Sequence, residues 1–323
     1  MILVTGGLGF IGAHTARALL DSGRRCVVTR HHATEVPEFL RADLGEGLIV
    51  EPLDLEDLGA LLRIGQRHEI TGVVHLADTA AQRLWKQPGD PSPRRLQGLF
   101  EGLGNVLQAA SEWGVARVTM ASSIGVYGGL PEGLWMEEMP LLPAAFHAIP
   151  TAKRCSELLA SFVAGQEGLD LITVRPSAIW GPGGRASSSF FALPGLVHAA
   201  VRGARKAPTT VEPVYAQDGG DLCYVKDCAR AIALIQTAGR LHHGTYNVGG
   251  GRVTTNAEIV AAIRHQVPGV SFDLAGGRNP RAAPTDPCLD LTRIHEDTGY
   301  QPAYGIERGV ADYVAWLRAD HER

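Results

Sequence analysis

Three glycines near the start of the chain have the spacing of a loop that binds a dinucleotide pyrophosphate. Gly6, Gly9 and Gly12 directly follow the apolar run Ile2–Thr5 and open an amphipathic segment. Glycines at these points allow a tight turn, a close approach of backbone N–H groups to phosphate, and close packing of the helix on the strand. The N-terminus of that helix then faces the anion. The pattern predicts a bound nicotinamide dinucleotide.

The end of the second predicted strand, Cys26–Thr29, indicates which dinucleotide binds. A site for NAD has an acidic residue there, which binds the ribose 2′-hydroxyl. This chain has Arg30, His31 and His32 instead. A guanidinium can bind a 2′-phosphate with two donors and can stack on adenine. These residues favour NADP as the cofactor, with NAD as the alternative.

Short aliphatic runs alternate with longer amphipathic segments through the first half of the chain, which is typical of an α/β fold. The predicted strands are Ile2–Thr5, Cys26–Thr29, Leu48–Glu51, Gly72–Leu76, Arg117–Ala121 and Asp170–Arg175. The predicted helices are Ile11–Ser22, Leu55–Gln66, Leu96–Trp113 and Pro150–Gln166. We therefore expect a doubly wound parallel sheet (Rossmann) with a smaller C-terminal substrate-binding lobe.

After Arg175 glycines and prolines divide the chain into shorter pieces. We expect residues 1–175 and 211–248 to form the NAD(P)-binding Rossmann domain. Residues 176–210 and 249–323 would then form the substrate-binding lobe. The substrate would lie in the crevice between them, at the carboxyl ends of the strands.

Composition narrows the possible partners. The net charge of −4 and the pI of about 6.3 do not suggest a nucleic acid or an anionic membrane surface. No apolar run approaches the roughly 18 residues of a membrane helix, and the N-terminus does not resemble a signal peptide. The five cysteines lack zinc-site spacing, and His242-His243 lacks a third ligand. We expect a cytoplasmic protein with a small-molecule substrate and no metal.

A series of short motifs continues through most of the chain. They are Thr5–Gly12, Asp54-Leu55, His75–Ala77, Ser122–Gly128, Lys153, Arg175-Pro176, Gly181–Gly183, Tyr224–Asp227 and Tyr246–Gly249. Together they resemble the extended short-chain dehydrogenases/reductases, the family of NAD(P)-dependent sugar epimerases and dehydratases. The resemblance implies an oxidoreductase that forms a homodimer through the helices near residues 96–113 and 150–166.

The resemblance also implies a role for individual residues. Lys153 would bond the nicotinamide ribose, and Ser123 would hold the reacting oxygen of the substrate. The remaining cofactor contacts would be Gly6, Gly9, Phe10, Ile11, Gly12, Arg30, Asp54, Leu55, Leu76, Ala77, Pro176 and Ile179. The substrate contacts would be Asp78, Ser123, Ile149, Trp180 and Ser188. Of these, Trp180 fits the protein core equally well. Ser188 could also cap a helix that begins near Phe190.

The chain departs from the family at its catalytic pair, Tyr-x-x-x-Lys. Ile149 stands at the tyrosine position, four residues before Lys153. That spacing puts both side chains on one face of a helix, where the lysine charge lowers the pKa of the phenol. Isoleucine has no proton to exchange, and general acid–base catalysis contributes about 10²–10⁴-fold.

Three explanations stay open for the missing phenol. Another group can supply the proton, with His147 the first candidate and Tyr127, Asp78, Glu137 and Glu138 weaker ones. The chemistry can need no protein acid. The protein can also bind a dinucleotide without catalysis, as a regulator or sensor. We favour an NADP-dependent oxidoreductase or epimerase-like enzyme, with Ser123, Lys153 and His147 as catalytic residues.

Two further departures narrow the reaction. The 4,6-dehydratases of the family have Asp-Glu directly after the active-site hydroxyl, whereas this chain has Ile124-Gly125. Nucleotide-sugar members often have an Arg before the Asp that is Asp221 here, and this chain has Gly220. The sequence therefore favours a sugar-like or other small polar substrate that reacts at a carbinol or carbonyl carbon.

Overall fold

The computed structural model describes residues 1–31, 33, 35–77, 93–131, 133–142, 148–188, 190–203, 213–281 and 286–319. In the first half of the chain, strands and helices alternate as predicted. The strands in these ranges are β1 (Ile2–Thr5), β2 (Cys26–Arg30), β3 (Leu48–Pro52), β4 (Gly72–His75), β5 (Val118–Ala121), β6 (Leu134–Trp135), β7 (Leu171–Pro176), β8 (Ala178–Trp180), β9 (Gly219–Tyr224), β10 (Thr245–Val248), β11 (Val253–Thr255) and β12 (Cys288–Leu289).

The helices alternate with these strands in the first half of the chain and dominate the second. They are α1 (Phe10–Asp21), α2 (Glu38–Arg41), α3 (Leu58–Arg67), α4 (Pro93–Trp113), α5 (Ala148–Glu167), α6 (Leu193–Val201), α7 (Val225–Thr237), α8 (Asn256–Gln266), α9 (Thr292–Thr298) and α10 (Ile306–Arg318). No helix within the described ranges has both the length and the apolar character needed to cross a membrane.

Seven parallel strands form the main sheet, in the order β10-β7-β5-β4-β1-β2-β3. Successive side chains of a strand point to opposite faces, so each strand contributes to two cores. In β1, Val4 packs in the core that contains α1 and α7, whereas Leu3 packs in the core that contains α3, α4 and α5. Helices cover both faces, which confirms the predicted doubly wound sheet.

The second, smaller sheet has the order β11-β9-β8 and packs with α6, α8 and α10. Residues 211–248 were expected to return to the main sheet, but only α7 and β10 do so. Strand β9 pairs instead with β8 and β11. A Cβ at Gly219 would lie 2.6 Å from the carbonyl oxygen of Thr254, so the close pairing of β9 with β11 requires a glycine there.

A buried ion pair ties α5 to the main sheet. The guanidinium of Arg175 on β7 donates to both carboxylate oxygens of Glu157 on α5, at 3.0 and 2.7 Å. It also donates to the hydroxyl of Tyr127 at 2.9 Å. The side chains of Arg175 and Glu157 are 7% and 12% exposed. Because α5 carries Lys153 and Ile149, this pair also positions the predicted site.

Replacement of Arg175 by methionine removes one partner of that pair and leaves the Glu157 carboxylate buried without it. We expect the free energy of unfolding of Arg175→Met to fall by about 3–5 kcal/mol, measured by urea denaturation. Arg63→Met is the matched control, because Arg63 and Asp57 lie 3.9 Å apart and are each 57% exposed. That control should change stability by less than about 0.5 kcal/mol, and equal losses for the two variants would contradict the assignment.

Candidate active site

The turn between β1 and α1 leaves no room for side chains at two of its glycines. Gly6 has a φ of +64°, and a Cβ at Gly12 would lie 2.2 Å from the Gly6 carbonyl oxygen. Gly9 precedes α1, and the first turn of this helix has no acidic residue and no side-chain cap. The free N–H groups and the positive end of the helix dipole therefore remain available to an anion.

A side-chain contact behind this turn ties it to β4. The hydroxyl of Thr5 lies 2.8 Å from Nδ1 of His75 and accepts a hydrogen bond from the backbone N–H of Ala77 at 3.3 Å. A Cβ at Gly6 would lie 2.9 Å from Cα of Ala77. The sequence motifs contain Thr5 and His75, but nothing in their spacing indicates that the two side chains meet.

One cavity of about 710 Å³ runs from the glycine turn to the carboxyl ends of β5 and β7. Most of the predicted cofactor residues line this cavity, and their roles in binding stay predictions. Those that line it are Gly6, Gly9, Phe10, Ile11, Gly12, Arg30, Leu55, Leu76, Ala77, Ser123, Ile149, Lys153, Pro176 and Ile179. A volume of this order fits an organic cofactor, and the cradle at Gly6–Gly12 fits a pyrophosphate.

Ser123, Lys153 and Ile149 meet at one end of the cavity. Ser123 begins a short 3₁₀ turn, and its oxygen accepts from the N–H of Gly125 at 3.0 Å. Lys153 donates from Nζ to the carbonyl of Ala121 at 2.9 Å. Ile149 lies one helical turn before Lys153, so the cavity wall beside the lysine is apolar.

Gly125, the second residue of this 3₁₀ turn, lies close to two neighbouring side chains. A Cβ at Gly125 would lie 3.3 Å from Oγ of Ser123 and 3.4 Å from Cγ of Pro150. A side chain at this position would therefore press on the Ser123 hydroxyl, which would have to shift by a few tenths of an ångström, and would make ordinary contact with Pro150. Sequence reasoning used Gly125 only as a missing carboxylate and did not predict its contact with Pro150.

Two of the weaker proton donor candidates lie behind the cavity and are not among its lining residues. The Tyr127 hydroxyl is buried and donates to Asn247 at 2.7 Å, and burial raises its pKa. The Glu137 carboxylate accepts from the N–H of Asn247 at 2.8 Å, and burial raises its pKa as well. Glu138 pairs at the surface with Arg293. Asp78 and His147 lie outside the described residues.

The opposite end of the cavity carries the basic residues that follow β2. Arg30 lines it and donates to the carbonyl of Ala33 at 3.4 Å, and His31 lines it 3.7 Å from the carboxylate of Asp54. Asp54 itself is not among the lining residues; its carboxylate accepts from the N–H of Glu56 at 3.1 Å. The contact of Asp54 with adenine stays a prediction.

Two predicted substrate residues, Trp180 and Ser188, are not among the residues that line this cavity. Trp180 is 2% exposed in the core of the smaller lobe, with its ring 4.8 Å from that of Tyr224. A Cβ at Gly309 on α10 would lie 2.5 Å from this indole, which shows how closely the helix covers it. Ser188 accepts from the N–H of Phe190 at 3.1 Å, and the next helix begins at Leu193 rather than near Phe190.

Comparisons with known proteins agree with this architecture. The model of the NAD dependent epimerase/dehydratase family matches residues 2–249, so the chain belongs to that family. A dTDP-glucose 4,6-dehydratase of Actinoplanes sp. is 28% identical over 99% of this chain and 98% of its own length. The family consists of nicotinamide-dependent enzymes.

Solved structures give the same fold over the full length. A dTDP-glucose 4,6-dehydratase of Streptomyces venezuelae with NAD bound has a TM-score of 0.78 at 26% identity, over 98% of this chain and 97% of its own. A UDP-glucose 4-epimerase of Thermotoga maritima with UDP-glucose has a TM-score of 0.79 at 24% identity, over 99% of each chain. The match includes the C-terminal lobe as well as the main sheet.

The tight approach at Gly12 provides a direct test of the cradle. We expect Gly12→Ala to weaken NADP⁺ binding at least about tenfold, or about 1.4 kcal/mol, because the added methyl pushes α1 away from the Gly6 carbonyl. Calorimetric titration measures this affinity. Gly104→Ala is the matched control, since a Cβ there meets nothing within 4 Å and should leave binding unchanged. Normal binding by Gly12→Ala would contradict the role of the cradle.

Proposed function

We propose that the protein is an NADP-dependent oxidoreductase or epimerase-like enzyme that acts on a carbinol or carbonyl carbon of a sugar-like or other small polar substrate. The main support for this function is the arrangement of residues along the cavity. Ser123, Lys153 and Ile149 lie at one end of a cavity whose other parts include the glycine cradle and Arg30. A nicotinamide dinucleotide, when bound, accepts a hydride from the substrate carbon or returns it.

Each residue at that end has a distinct task in this proposal. The Ser123 oxygen already accepts from Gly125, so its own O–H can be donated to the reacting oxygen of the substrate. The Lys153 ammonium, held by the Ala121 carbonyl, binds the ribose and contributes positive charge. The apolar Ile149 and Ile179 exclude water around the reacting carbon.

The proton donor is not assigned by the described residues. Ile149 removes the usual phenol, and His147 stays the predicted replacement because it directly precedes α5 in the chain. Its imidazole can exchange a proton near neutral pH.

The substrate is proposed to be smaller than a nucleotide sugar. The relatives named above act on dTDP-glucose or bind UDP-glucose, but Gly220 leaves no cation beside Asp221 for a phosphate. The Asp221 carboxylate is buried, where it accepts from the N–H groups of Gly250 at 2.6 Å and Leu289 at 3.1 Å. It therefore organises the lobe and is not free to bind a substrate.

Restoration of the phenol tests whether the site is built for redox chemistry. In Ile149→Tyr the hydroxyl would stand one helical turn from Lys153, whose charge lowers the pKa of the phenol. We expect turnover of a panel of aldoses, ketoses and small hydroxy compounds to rise about 10²-fold, measured from the absorbance of the reduced cofactor.

The control for this experiment is Ile149→Phe, which adds the same ring without the hydroxyl and should produce no rise. Equal rates for the two variants, on a compound already shown to bind, would contradict an oxidoreductase site. That outcome would favour the alternative, a non-catalytic NAD(P)-binding regulator, for which the absent phenol is the supporting observation.

Cofactor choice is proposed to depend on Arg30. Its guanidinium lines the cavity at the end of β2, and no acidic side chain of β2 stands there to bind a 2′-hydroxyl. We expect the wild-type protein to bind NADP⁺ at least about tenfold more tightly than NAD⁺. Arg30→Ala should remove most of this preference by weakening NADP⁺ alone, as calorimetric titration would show. An unchanged ratio of the two affinities would contradict the proposal.

A homodimer through α5 is the proposed assembly. Leu158 and Phe162 lie one turn apart on this helix and are 76% and 65% exposed, beside a groove that also contains Leu141 and Leu142. Large apolar side chains grouped on one face indicate an interaction surface. The cytoplasmic location expected from the sequence stays a prediction.

A charge in that surface should separate the subunits. We expect Phe162→Glu to sediment as a monomer in analytical ultracentrifugation, since it would bury a carboxylate without a partner. Phe190→Glu is the control, because Phe190 is equally exposed, at 67%, but lies in the smaller lobe. A wild-type protein that sediments as a monomer would contradict the proposed assembly.

A further inference from the structure

Ser122 directly follows β5 and has a buried hydroxyl that nothing in the described part of the chain satisfies. Its backbone N–H donates to the carbonyl of Val174 on β7 at 2.7 Å, which holds the residue in the sheet. Ser122 is 4% exposed, and its Oγ has no hydrogen-bond partner among the described atoms. The same residue lines the cavity of the candidate active site.

A buried hydroxyl without a partner is costly, and native proteins nearly always satisfy such groups. The neighbouring serines each have a polar group close by. The oxygen of Ser123 accepts from Gly125. Oγ of Ser177 also lacks a hydrogen-bond partner among the described atoms, but it lies beside the carboxylate of Asp221. A group bound in the cavity would give the Ser122 hydroxyl the partner that the described residues do not supply.

The surroundings of Ser122 define the kind of group that fits. Ile149, Pro176 and Ile179 line the same end of the cavity with apolar surface, and Lys153 is held at the carbonyl of Ala121, the residue before Ser122. A flat, largely apolar ring with one polar substituent suits this environment. A primary amide is both donor and acceptor, so a hydroxyl can bind either of its ends.

We propose that the Ser122 hydroxyl binds the carboxamide of the nicotinamide ring and so selects which face of the ring is turned toward Ser123. Ser122 is thus a positioning residue for the cofactor, separate from the residue that holds the substrate oxygen. The inference rests on the proposed function, because it requires that a nicotinamide dinucleotide occupies the cavity.

The test compares a complete cofactor with one that lacks the ring. Wild-type protein and Ser122→Ala are titrated by calorimetry with NADP⁺ and with 2′-phospho-ADP-ribose, which has no nicotinamide. We expect Ser122→Ala to weaken NADP⁺ about tenfold, or about 1.4 kcal/mol, and to leave the affinity for 2′-phospho-ADP-ribose unchanged. Ser156→Ala is the control, because Ser156 is a buried serine of α5 outside the cavity lining and should change neither affinity.

The possible outcomes separate this inference from the proposed function. If both ligands bind to Ser122→Ala as they bind to the wild type, the role of Ser122 is wrong and the proposed function stands. An equal loss for both ligands would also overturn the role, since it would indicate a general distortion of the cavity. If neither ligand binds to the wild-type protein, the proposed function fails and this inference fails with it.

Discussion

The close approach of α1 to the Gly6 carbonyl is the constraint on which the site depends. A Cβ at Gly12 would lie 2.2 Å from that oxygen, so the helix can start this near to β1 only with a glycine. The approach brings the uncapped N-terminus of α1 to the carboxyl end of the sheet, where the strand order reverses between β1 and β4. Every other feature of the cavity is arranged around this anion-binding end.

The second requirement is that α5 stays fixed against the sheet. Arg175 and Glu157 form a buried bidentate pair, and Lys153 donates to the end of β5. The two contacts lie on successive turns of one helix face. The position of Lys153 is therefore maintained by contacts that do not involve residue 149. Neither contact requires a hydroxyl at position 149.

Local patterns in the sequence predicted the first half of the fold well. The run Ile2–Thr5 is a strand with the predicted ends, and the predicted helix Ile11–Ser22 differs from α1 by one residue at each end. These elements are predictable because alternation and helical periodicity are properties of neighbouring residues. The cradle could be predicted for the same reason, since the spacing of its glycines is local.

Features that depend on distant partners were not predicted. Strand β9 pairs with β8 and β11, and no local pattern states which sheet a strand joins. Trp180 precedes Gly181-Pro182 and resembles a pocket residue, but α10, more than a hundred residues later, buries it. The unsatisfied hydroxyl of Ser122 depends on what surrounds it, which two adjacent serines in a sequence cannot indicate.

The most direct measurement is a crystal structure of the protein grown with NADP⁺. The account predicts pyrophosphate oxygens within hydrogen-bond distance, about 2.7–3.2 Å, of backbone N–H groups at the start of α1. It also predicts the 2′-phosphate against Arg30 and the nicotinamide between Ile179 and Lys153. A cofactor bound in another cavity, or bound with its adenine at the Lys153 end, would contradict the account.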